Sequence, residues 1–216
     1  MKKINPKDYR HIFWDFDGVI KESANIKTLT FYDLFLPFGK NIALKVKEHH
    51  LKNAGISRFE KIPLYLKWAK VDYSKEIEKQ FIDNFKNKVV EKVIKSKWVK
   101  GSKNFLKINP FSQSFYLVTA TPQNEIEYIL SRIGLNEVFK DCLGSPISKE
   151  NGIKDIINSR KLKKKDCFMI GDALADMKAA RKNSIDFVLR EHKHNSYIFA
   201  NEQIKYKIKN LLDIYE

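Results

Sequence analysis

Cysteine is scarce in this sequence of 216 residues, and the two that occur, Cys142 and Cys167, form no CxxC pattern. A disulfide scaffold and a zinc cluster both need more cysteines at closer spacing, so both are excluded. No uninterrupted apolar run approaches the roughly 20 residues that cross a bilayer. The N-terminus reaches charged residues before any apolar stretch and therefore lacks the core of a signal peptide. These absences predict a soluble, cytoplasmic protein.

Positive charge is the strongest bias in the composition. Lysine and arginine number 41 against 26 aspartates and glutamates, a formal net charge of +15. Such a charge can attract nucleic acid or small anionic substrates, phosphate esters among them. The basic residues are spread along the whole chain, and the densest run, at 161–165, is typical of a solvated turn. No strand interleaves basic residues with aromatic ones, as a platform for stacking bases would. The distribution therefore argues against nucleic acid as the main partner.

Residues 24–98 are poor in turn-forming residues, with only two glycines and two prolines. Their apolar residues recur at helical spacing. One such stripe comprises Ile77, Phe81, Ile82, Phe85 and Val89. A stripe of this kind is typical of a helix packed in a bundle. We therefore predict a helical block over this stretch.

Strands and helices alternate after Gly101. Runs rich in β-forming residues occur at 115–120, 167–170 and 186–189, and helical periodicity fills the stretches between them. A short buried strand is also expected at 11–17. Such alternation predicts an α/β fold, a Rossmann-like core of parallel strands with helices on both faces.

The helical block falls between the first predicted strand and the remaining ones. It is therefore an insertion into the α/β core. We predict a discontinuous catalytic core at 1–20 and 99–216, and an inserted α-helical cap at 21–98.

Polar side chains follow the predicted strands at the edge of the sheet where ligands bind in open parallel sheets. Three carboxylates, a hydroxyl and a lysine converge there, with a fourth carboxylate one helical turn further on. The set is Asp15, Asp17, Thr119, Lys149, Asp172 and Asp176. Carboxylates this close repel one another, so a shared cation is the natural way to hold them together. Oxygen ligands suit Mg²⁺, which also keeps water and substrate phosphate as ligands.

Four motifs in this order resemble those of the haloacid dehalogenase superfamily of phosphohydrolases. They are DFDGVI at 15–20, VTATP at 118–122, GSPISK at 144–149 and IGDALAD at 170–176. A single DxDG motif recurs by chance, whereas four at strand ends are specific. The resemblance covers nearly the whole chain. It implies a Mg²⁺-dependent phosphatase that hydrolyses a small phosphate monoester, a sugar phosphate or a phosphorylated acid, through an aspartyl-phosphate.

The resemblance implies a role for each acid. Asp15 is the nucleophile that attacks phosphorus. Asp17 protonates the leaving oxygen and later takes a proton from water, and its backbone carbonyl is a further metal ligand. The implied metal site comprises Asp15, Asp17, Asp172 and Asp176, with Asp172 as the direct carboxylate ligand of Mg²⁺ and Asp176 as the residue that orients metal-bound water or Lys149. The alternatives are that Asp15 and Asp17 cap a turn, and that Asp176 is a first-turn acid favoured by the helix dipole.

The resemblance also implies a binding site for the substrate phosphate. Thr119 donates its hydroxyl to the phosphoryl oxygens beside the backbone N–H of Ala120, and Gly18 belongs to the same binding set. Lys149 neutralises the phosphoryl charge. Lys154 competes for that role, but the family pattern places the lysine at the helix start after GSP. The alternative for Thr119 is an ordinary β-branched strand residue.

Asp17 and Gly171 bear on the type of reaction. The dehalogenases that named the superfamily lack a carboxylate at the position of Asp17, because displacing a halide needs no proton donor. The β-phosphoglucomutase branch of the superfamily usually carries an acidic residue at the position of Gly171. Both residues favour a phosphatase that acts on a small phosphorylated metabolite. A phosphomutase, and a basic nucleic-acid-binding protein with a vestigial site, stay open as alternatives.

The predicted cap is similar to that of the phosphoglycolate phosphatase and β-phosphoglucomutase branch, where it closes over the site. Residues 55–61 resemble the GVSR segment of β-phosphoglucomutase, whose arginine grips the second phosphate of the substrate. Arg58 is therefore a candidate substrate anchor. Alternatively, Ser57 caps the following helix and Arg58 decorates its first turn. Glu22 stands near the predicted hinge, where relatives more often carry Asp-Ser or Asp-Thr.

The histidines and cysteines are not expected in the mechanism. His49 and His50 are adjacent on a predicted helix and point in different directions. His192 and His194 have strand-like spacing but no third metal ligand nearby, which predicts surface residues. Both cysteines are predicted to be small buried strand residues. The chain is expected to be a monomer or a weak dimer.

Overall fold

The computed structural model describes residues 4–214, so residues 1–3 and 215–216 of the predicted core lie outside the described residues. Six parallel strands form one sheet in this part of the chain, in the order β3-β2-β1-β4-β5-β6. The strands are β1 (His11–Trp14), β2 (Ser114–Pro122), β3 (Asp141–Ser145), β4 (Cys167–Gly171), β5 (Asp186–Arg190) and β6 (Tyr206–Ile208). The predicted parallel α/β fold is confirmed.

Two strands differ from the sequence-based expectation. The first strand ends at Trp14 rather than at residue 17, because the Phe16 carbonyl accepts backbone hydrogen bonds from the turn residues that follow. The short edge strand β6 was not predicted. It has only three residues and pairs with β5 alone.

Five helices lie between β1 and β2, and three more alternate with the later strands. The first five are α1 (Ala24–Phe35), α2 (Lys40–Lys52), α3 (Arg58–Trp68), α4 (Lys75–Lys95) and α5 (Ser102–Ile108). The others are α6 (Gln123–Ile133), α7 (Lys149–Ser159) and α8 (Leu174–Lys182). Serine hydroxyls cap the first turns of α3, α4 and α7, where backbone N–H groups have no partner within the helix.

The alternation of side chains along β1 divides the hydrophobic core between the two faces of the sheet. Ile12 and Trp14 lie on one face, in a cluster that also contains Phe31 of α1 and Tyr65 of α3. Phe13 lies on the other face, among residues that include those of α7 and α8. Helices therefore cover both faces, and the core of the inserted helices is continuous with one of them.

The predicted boundaries of the cap coincide with a place where two chain segments run side by side. Glu22 N–H donates to the Lys97 carbonyl, and Val99 N–H donates to the Ile20 carbonyl. Lys21 is buried there, with its ammonium bonded to the Ile94 carbonyl. The division into core and cap stays a prediction, with this crossing as its proposed hinge.

Glu22 at this crossing is paired with the sheet. Its carboxylate accepts hydrogen bonds from both terminal nitrogens of Arg190, the last residue of β5. Arg190 is itself buried. Glu22, whose side chain is longer than the aspartate more common in relatives, therefore joins the start of the helical block to the carboxyl end of β5.

Cys142 departs from the sequence prediction. It is only half-buried, because β3 is an edge strand with one neighbour. Cys167, in the more central β4, is fully buried as predicted.

The basic run at 161–165 forms the predicted turn between a helix and a strand, and its lysines are exposed. Across residues 4–214, no helix has both the length and the apolar character that a membrane crossing requires.

Phe35 gives a test of the core of the inserted helices. Its fully buried ring contacts the rings of Phe38, Tyr65 and Phe81. Phe35→Ala should lower the free energy of unfolding by about 3–5 kcal/mol, because it removes buried apolar area and leaves a cavity. Leu36→Ala is the control, since Leu36 is exposed and should change stability by about 0.5 kcal/mol or less. Equal losses in urea unfolding would contradict this packing.

Candidate active site

Three carboxylates meet at the carboxyl ends of β1 and β4. Trp14 of β1 is in register with Ile170 of β4, and the N–H of Asp15 donates to the Ile170 carbonyl at 3.0 Å. Asp15 and Asp172, which follow these strands, are therefore neighbours. Asp176 joins them from the first turn of α8. One oxygen of each carboxylate lies within 4.8 Å of the others, and all three residues are buried.

Lys149 is the cation of this cluster. It is the first residue of α7, whose N-terminus is fixed by the Ser148 hydroxyl. Its Nζ lies 2.9 Å from Asp15 Oδ1 and 2.5 Å from Asp176 Oδ1, and the side chain is buried. Lys154, the competing lysine, is exposed on the same helix. The structure thus places Lys149, and not Lys154, in the site.

The cluster carries more negative than positive charge. Burial, followed by the charge of Asp176, raises the pKa of Asp15 to about 7, although Lys149 opposes the shift. Burial likewise raises the pKa values of Asp172 and Asp176. Burial alone would lower the pKa of Lys149, but its two carboxylate partners raise it above the usual value. Carboxylate oxygens in excess of the available cations are a donor set that suits a hard divalent cation. The residues present therefore fit the predicted metal.

Asp176 has both carboxylate oxygens engaged by the protein. Oδ1 receives Lys149, and Oδ2 accepts a hydrogen bond from the N–H of Ala173 at 3.0 Å. The second bond also satisfies one of the free N–H groups at the start of α8. The contacts of Asp176 are thus those of a residue that holds the lysine and caps a helix.

Asp17 lies at the same edge and lines the same cavity, but its hydrogen bonds go to residues outside the three clustered acids. Ser23 Oγ donates to its Oδ1 at 2.6 Å, and Thr121 Oγ1 donates to its Oδ2 at 3.2 Å. Lys27 of α1 also binds Oδ2, and its ammonium reaches Thr121 Oγ1 at 2.7 Å. Burial alone would raise the pKa of Asp17, but Lys27 outweighs it and lowers the pKa. A lysine of the inserted helices therefore holds Asp17 ionised.

The predicted phosphate-binding residues lie at the end of β2 and beside β1. Thr119 is buried, and its hydroxyl accepts a hydrogen bond from Thr121 N–H at 3.2 Å. Thr119 and Ala120 line the same cavity as Asp15. Gly18 packs behind Asp172 instead: a Cβ at Gly18 would lie 2.0 Å from Asp172 Oδ2. Gly18 also has a φ of +77°, a conformation that strains other residues.

The prediction that His192 and His194 are surface residues is wrong. Both line the cavity that contains Asp15, and His192 Nε2 lies 2.9 Å from Asp172 Oδ2. They are not on a strand, because β5 ends at Arg190 and the chain turns back across the end of β4. The neighbouring Asn195 fastens this turn by donating to the Asp172 and Arg190 carbonyls.

His192 carried a usable signal in the sequence. It follows the carboxyl end of the strand predicted at 186–189, as Asp172 follows the strand predicted at 167–170. The two-residue spacing between His192 and His194 is typical of a strand, although neither residue lies on one. The rule that ligands bind at the carboxyl edge of a parallel sheet would have placed it at the site.

The inserted helices form the opposite wall of the cavity. Lys27, His50, Arg58 and Lys61 line it, and Phe31 and Phe85 supply its apolar part. None of Lys27, His50 and Lys61 was predicted, because each reaches the cavity through the packing of helices that share no sequence motif.

Arg58 is a wall residue rather than an exposed decoration of α3. Ser57 does cap the helix, by accepting from Phe59 N–H. Arg58 is buried, however, and its Nη2 lies 2.5 Å from Glu125 Oε2 on α6. Its role as a substrate anchor stays a prediction, now with an acidic partner that the sequence did not reveal.

Comparison with known proteins places this site in a family context. The family model described as haloacid dehalogenase-like hydrolase matches residues 12–189. No curated protein matches the chain. A predicted phosphoglycolate phosphatase from Haemophilus somnus 129pt has a similar structure, with a TM-score of 0.73, 17% identity, and coverage of 96% of this chain and 97% of its own. A β-phosphoglucomutase from Clostridium difficile gives 0.73 at 18% identity, with coverage of 94% and 91%.

A third similar structure is described as a HAD hydrolase, YfnB from Bacillus subtilis, bound to magnesium. Its TM-score is 0.69 at 17% identity, with coverage of 96% of this chain and 97% of its own. The TM-scores and coverages establish a shared fold over nearly the whole chain, and at identities this low they establish the fold alone.

Gly18→Ala tests the close packing behind Asp172. The added methyl group would both strain the backbone and overlap Oδ2, so Asp172 must move. Gly134→Ala is the matched control, because Gly134 has a φ of +70° and nothing within 4 Å of the added atom. Each variant should lose about 1–2 kcal/mol of unfolding free energy from backbone strain. Gly18→Ala should lose at least about 1 kcal/mol more in urea unfolding. Equal losses would mean that Asp172 is not packed against Gly18.

Proposed function

Because the chain belongs to the haloacid dehalogenase-like hydrolase family, we propose that it is a Mg²⁺-dependent phosphatase. Its substrate is a small phosphate monoester, a sugar phosphate or a phosphorylated acid, and the reaction passes through an aspartyl-phosphate. One observation carries this proposal. Asp15 Oδ1, at the carboxyl edge of the sheet, lies 2.9 Å from the Lys149 ammonium in a buried acidic cluster that borders a cavity.

Asp15 is the proposed nucleophile. Its carboxylate oxygen attacks phosphorus while the ester P–O bond breaks, and the alcohol leaves with a proton. Water then attacks the phosphorus of the aspartyl-phosphate, and inorganic phosphate departs as the carboxylate is regenerated. Lys149 holds one oxygen of Asp15 in place and offsets the charge of the incoming phosphoryl group. Thr119 and Ala120, which line the same cavity at the end of β2, would bind the phosphoryl oxygens.

Asp17 is the proposed proton carrier. As an ionised carboxylate paired with Lys27, it is ready to accept the proton of the attacking water. To protonate the leaving oxygen it must first carry a proton itself, which its contact with Lys27 opposes. Lys27 belongs to α1, so movement of the inserted helices relative to the sheet would release Asp17 for that step.

Asp15, Asp172 and the backbone carbonyl of Asp17 are the residues that would hold Mg²⁺. Asp176 serves to orient Lys149, since the protein already engages both of its carboxylate oxygens. When bound, the metal would neutralise the phosphoryl charge that repels an anionic nucleophile. The similar structure from Bacillus subtilis is bound to magnesium, which supports the choice of ion.

Gly171 supports a phosphatase over a phosphomutase. A Cβ at this position would lie 2.2 Å from the Cβ of Asp176. The acidic residue that phosphomutases of the branch usually carry there therefore has no space in this chain unless Asp176 moves. Release of inorganic phosphate, as opposed to isomerisation of the ester, distinguishes the two reactions.

The nucleophile can be tested by Asp15→Asn. We expect the wild-type chain to release phosphate from a panel of monoesters in the presence of Mg²⁺, and chelator to abolish the release. Asp15→Asn should lower kcat by about a thousandfold or more, because an amide cannot form the covalent intermediate. Asp83→Asn, on the exposed surface of α4, is the control and should retain activity. A panel without phosphate release, or an active Asp15→Asn enzyme, would refute the proposal.

Metal binding can be tested without turnover. MgCl₂ should raise the melting temperature of the wild-type protein above that in NaCl of equal ionic strength, because a ligand that binds only the folded state stabilises it. At a hundredfold excess over Kd, the gain is about 2.7 kcal/mol. For a chain of this size each kcal/mol corresponds to about 2–4 °C. Asp172→Asn should lose most of the shift, while Asp83→Asn should keep it. An undiminished shift in Asp172→Asn would remove Asp172 from the metal site.

A further inference from the structure

Lys61 is a buried cation without an acidic partner. Only 3% of it is exposed, and it lies in the first turns of α3 on the wall of the cavity. Its Nζ is 3.0 Å from His50 Nδ1 and donates to the Asn53 carbonyl at 3.2 Å. Within residues 4–214 it forms no ion pair. Burial and, after it, the charge of Lys27 lower the pKa of Lys61 to about 7.

The other buried or part-buried cations of the cavity each have a carboxylate. Lys149 contacts Asp15 and Asp176, and Lys27 contacts Asp17. Arg58 contacts Glu125 through Nη2 alone. Its Nη1 is buried and has no hydrogen-bond partner within the described residues. The wall formed by α3 therefore presents one amine that no carboxylate balances and one free donor.

The surroundings of these two groups strengthen electrostatic attraction. Lys61 Nζ lies 5.4 Å from the ring centre of Phe31, and the guanidinium of Arg58 lies 4.6 Å from that of Phe85. The two rings are themselves 4.2 Å apart. Water is thus excluded from one side of both cations, and an anion that contacts them interacts more strongly than it would in water.

His50 does not supply the missing negative charge. It is buried on α2, and burial together with the charge of Lys61 holds its pKa well below the usual value. The ring is therefore neutral, and its Nδ1 accepts from the Lys61 ammonium. Such a contact orients the ammonium but leaves its charge unbalanced.

We propose that Lys61, assisted by Nη1 of Arg58, binds a second anionic group of the substrate. The substrate is then a phosphate ester whose far end carries a carboxylate or another phosphate. This inference rests on the proposed phosphatase function. Glu125 already balances the charge of Arg58. The charge that selects a substrate with a second anionic group therefore comes from Lys61, and Arg58 contributes only a hydrogen-bond donor.

Matched esters that differ only in the charge of the far end test this assignment. The probes are 2-carboxyethyl phosphate and propane-1,3-diyl bisphosphate, with 3-hydroxypropyl phosphate as the uncharged reference. The wild-type enzyme should prefer the charged esters by tenfold or more in kcat/KM. The carboxylate and bisphosphate probes distinguish which anion is preferred.

Lys61→Met should reduce that preference at least tenfold, chiefly through KM, because it keeps the length of the side chain but removes its charge. Lys61→Arg should restore part of the preference. Lys67→Met is the matched control: Lys67 lies on the same helix, is exposed, and should leave the preference unchanged. A Lys61 that merely joined α2 to α3 would instead affect all three esters equally.

Binding of phosphonates separates failure of this inference from failure of the phosphatase proposal, because their P–C bond is not hydrolysed by this chemistry. Calorimetry at 150 mM NaCl compares 3-phosphonopropanoate and propane-1,3-diyl bisphosphonate with propylphosphonate. We expect wild-type protein to bind at least one charged probe tenfold more tightly than propylphosphonate, and Lys61→Met to lose the difference.

That result would support the anion site even if no ester were hydrolysed, in which case only the phosphatase proposal would fall. Equal affinity for all three probes, or no binding of any, would overturn the anion site. Retention of the preference in Lys61→Met would overturn it as well. The wild-type comparison needs no variant, so the inference is tested even if Lys61→Met does not fold.

Discussion

The ammonium of Lys149, held between Asp15 and Asp176, is the contact on which the rest of the site depends. Three buried carboxylates within 4.8 Å of one another would repel strongly if nothing offset their charge. One lysine offsets part of it, and the remainder makes the cluster receptive to a divalent cation. The contact also joins three elements, because Asp15 follows β1, Lys149 begins α7 and Asp176 belongs to α8. A single ion-pair network thus sets both the charge of the site and the positions of its parts.

The inserted helices complete the site with a second set of charges. Lys27 reaches across to Asp17, and Arg58 reaches across to Glu125. Both bonds join a helix of the insertion to an element of the sheet layer. Because Lys27 lies on α1 and lowers the pKa of Asp17, the protonation of Asp17 depends on the position of α1. Under the proposed mechanism, specificity and proton transfer would therefore depend on the contact between the inserted helices and the sheet layer, not on either layer alone.

Sequence patterns predicted the residues whose positions follow from strand ends. Asp15, Asp172 and Lys149 were found because parallel strands bring their carboxyl ends to one edge, whatever the helices do. The partners of these residues could not be found in the same way. Arg58 and Glu125 are 67 positions apart, and only the packing of α3 and α6 brings them together. Lys61 had no motif, and its burial without an acid is a property of three-dimensional packing. His192 was missed for a different reason, since the absence of a third metal ligand near it in the sequence predicts a surface residue.

The continuous core on one face of the sheet has a consequence for how the chain folds. β1 pairs with β2 and β4, and the whole helical insertion separates it from either. The central strand therefore has no local partner. Closing so long a loop costs entropy before any strand hydrogen bond is gained, and folding that relies on such distant pairings is slow. Helices α1 and α3 contribute Phe31 and Tyr65 to the cluster that contains Ile12 and Trp14. If the helices collapse first, they offer β1 a preformed apolar surface. In that case the strand that precedes Asp15 would be ordered only after the layer that encloses it, and a nascent chain would lack Asp172 and Asp176 until β4 and α8 were made.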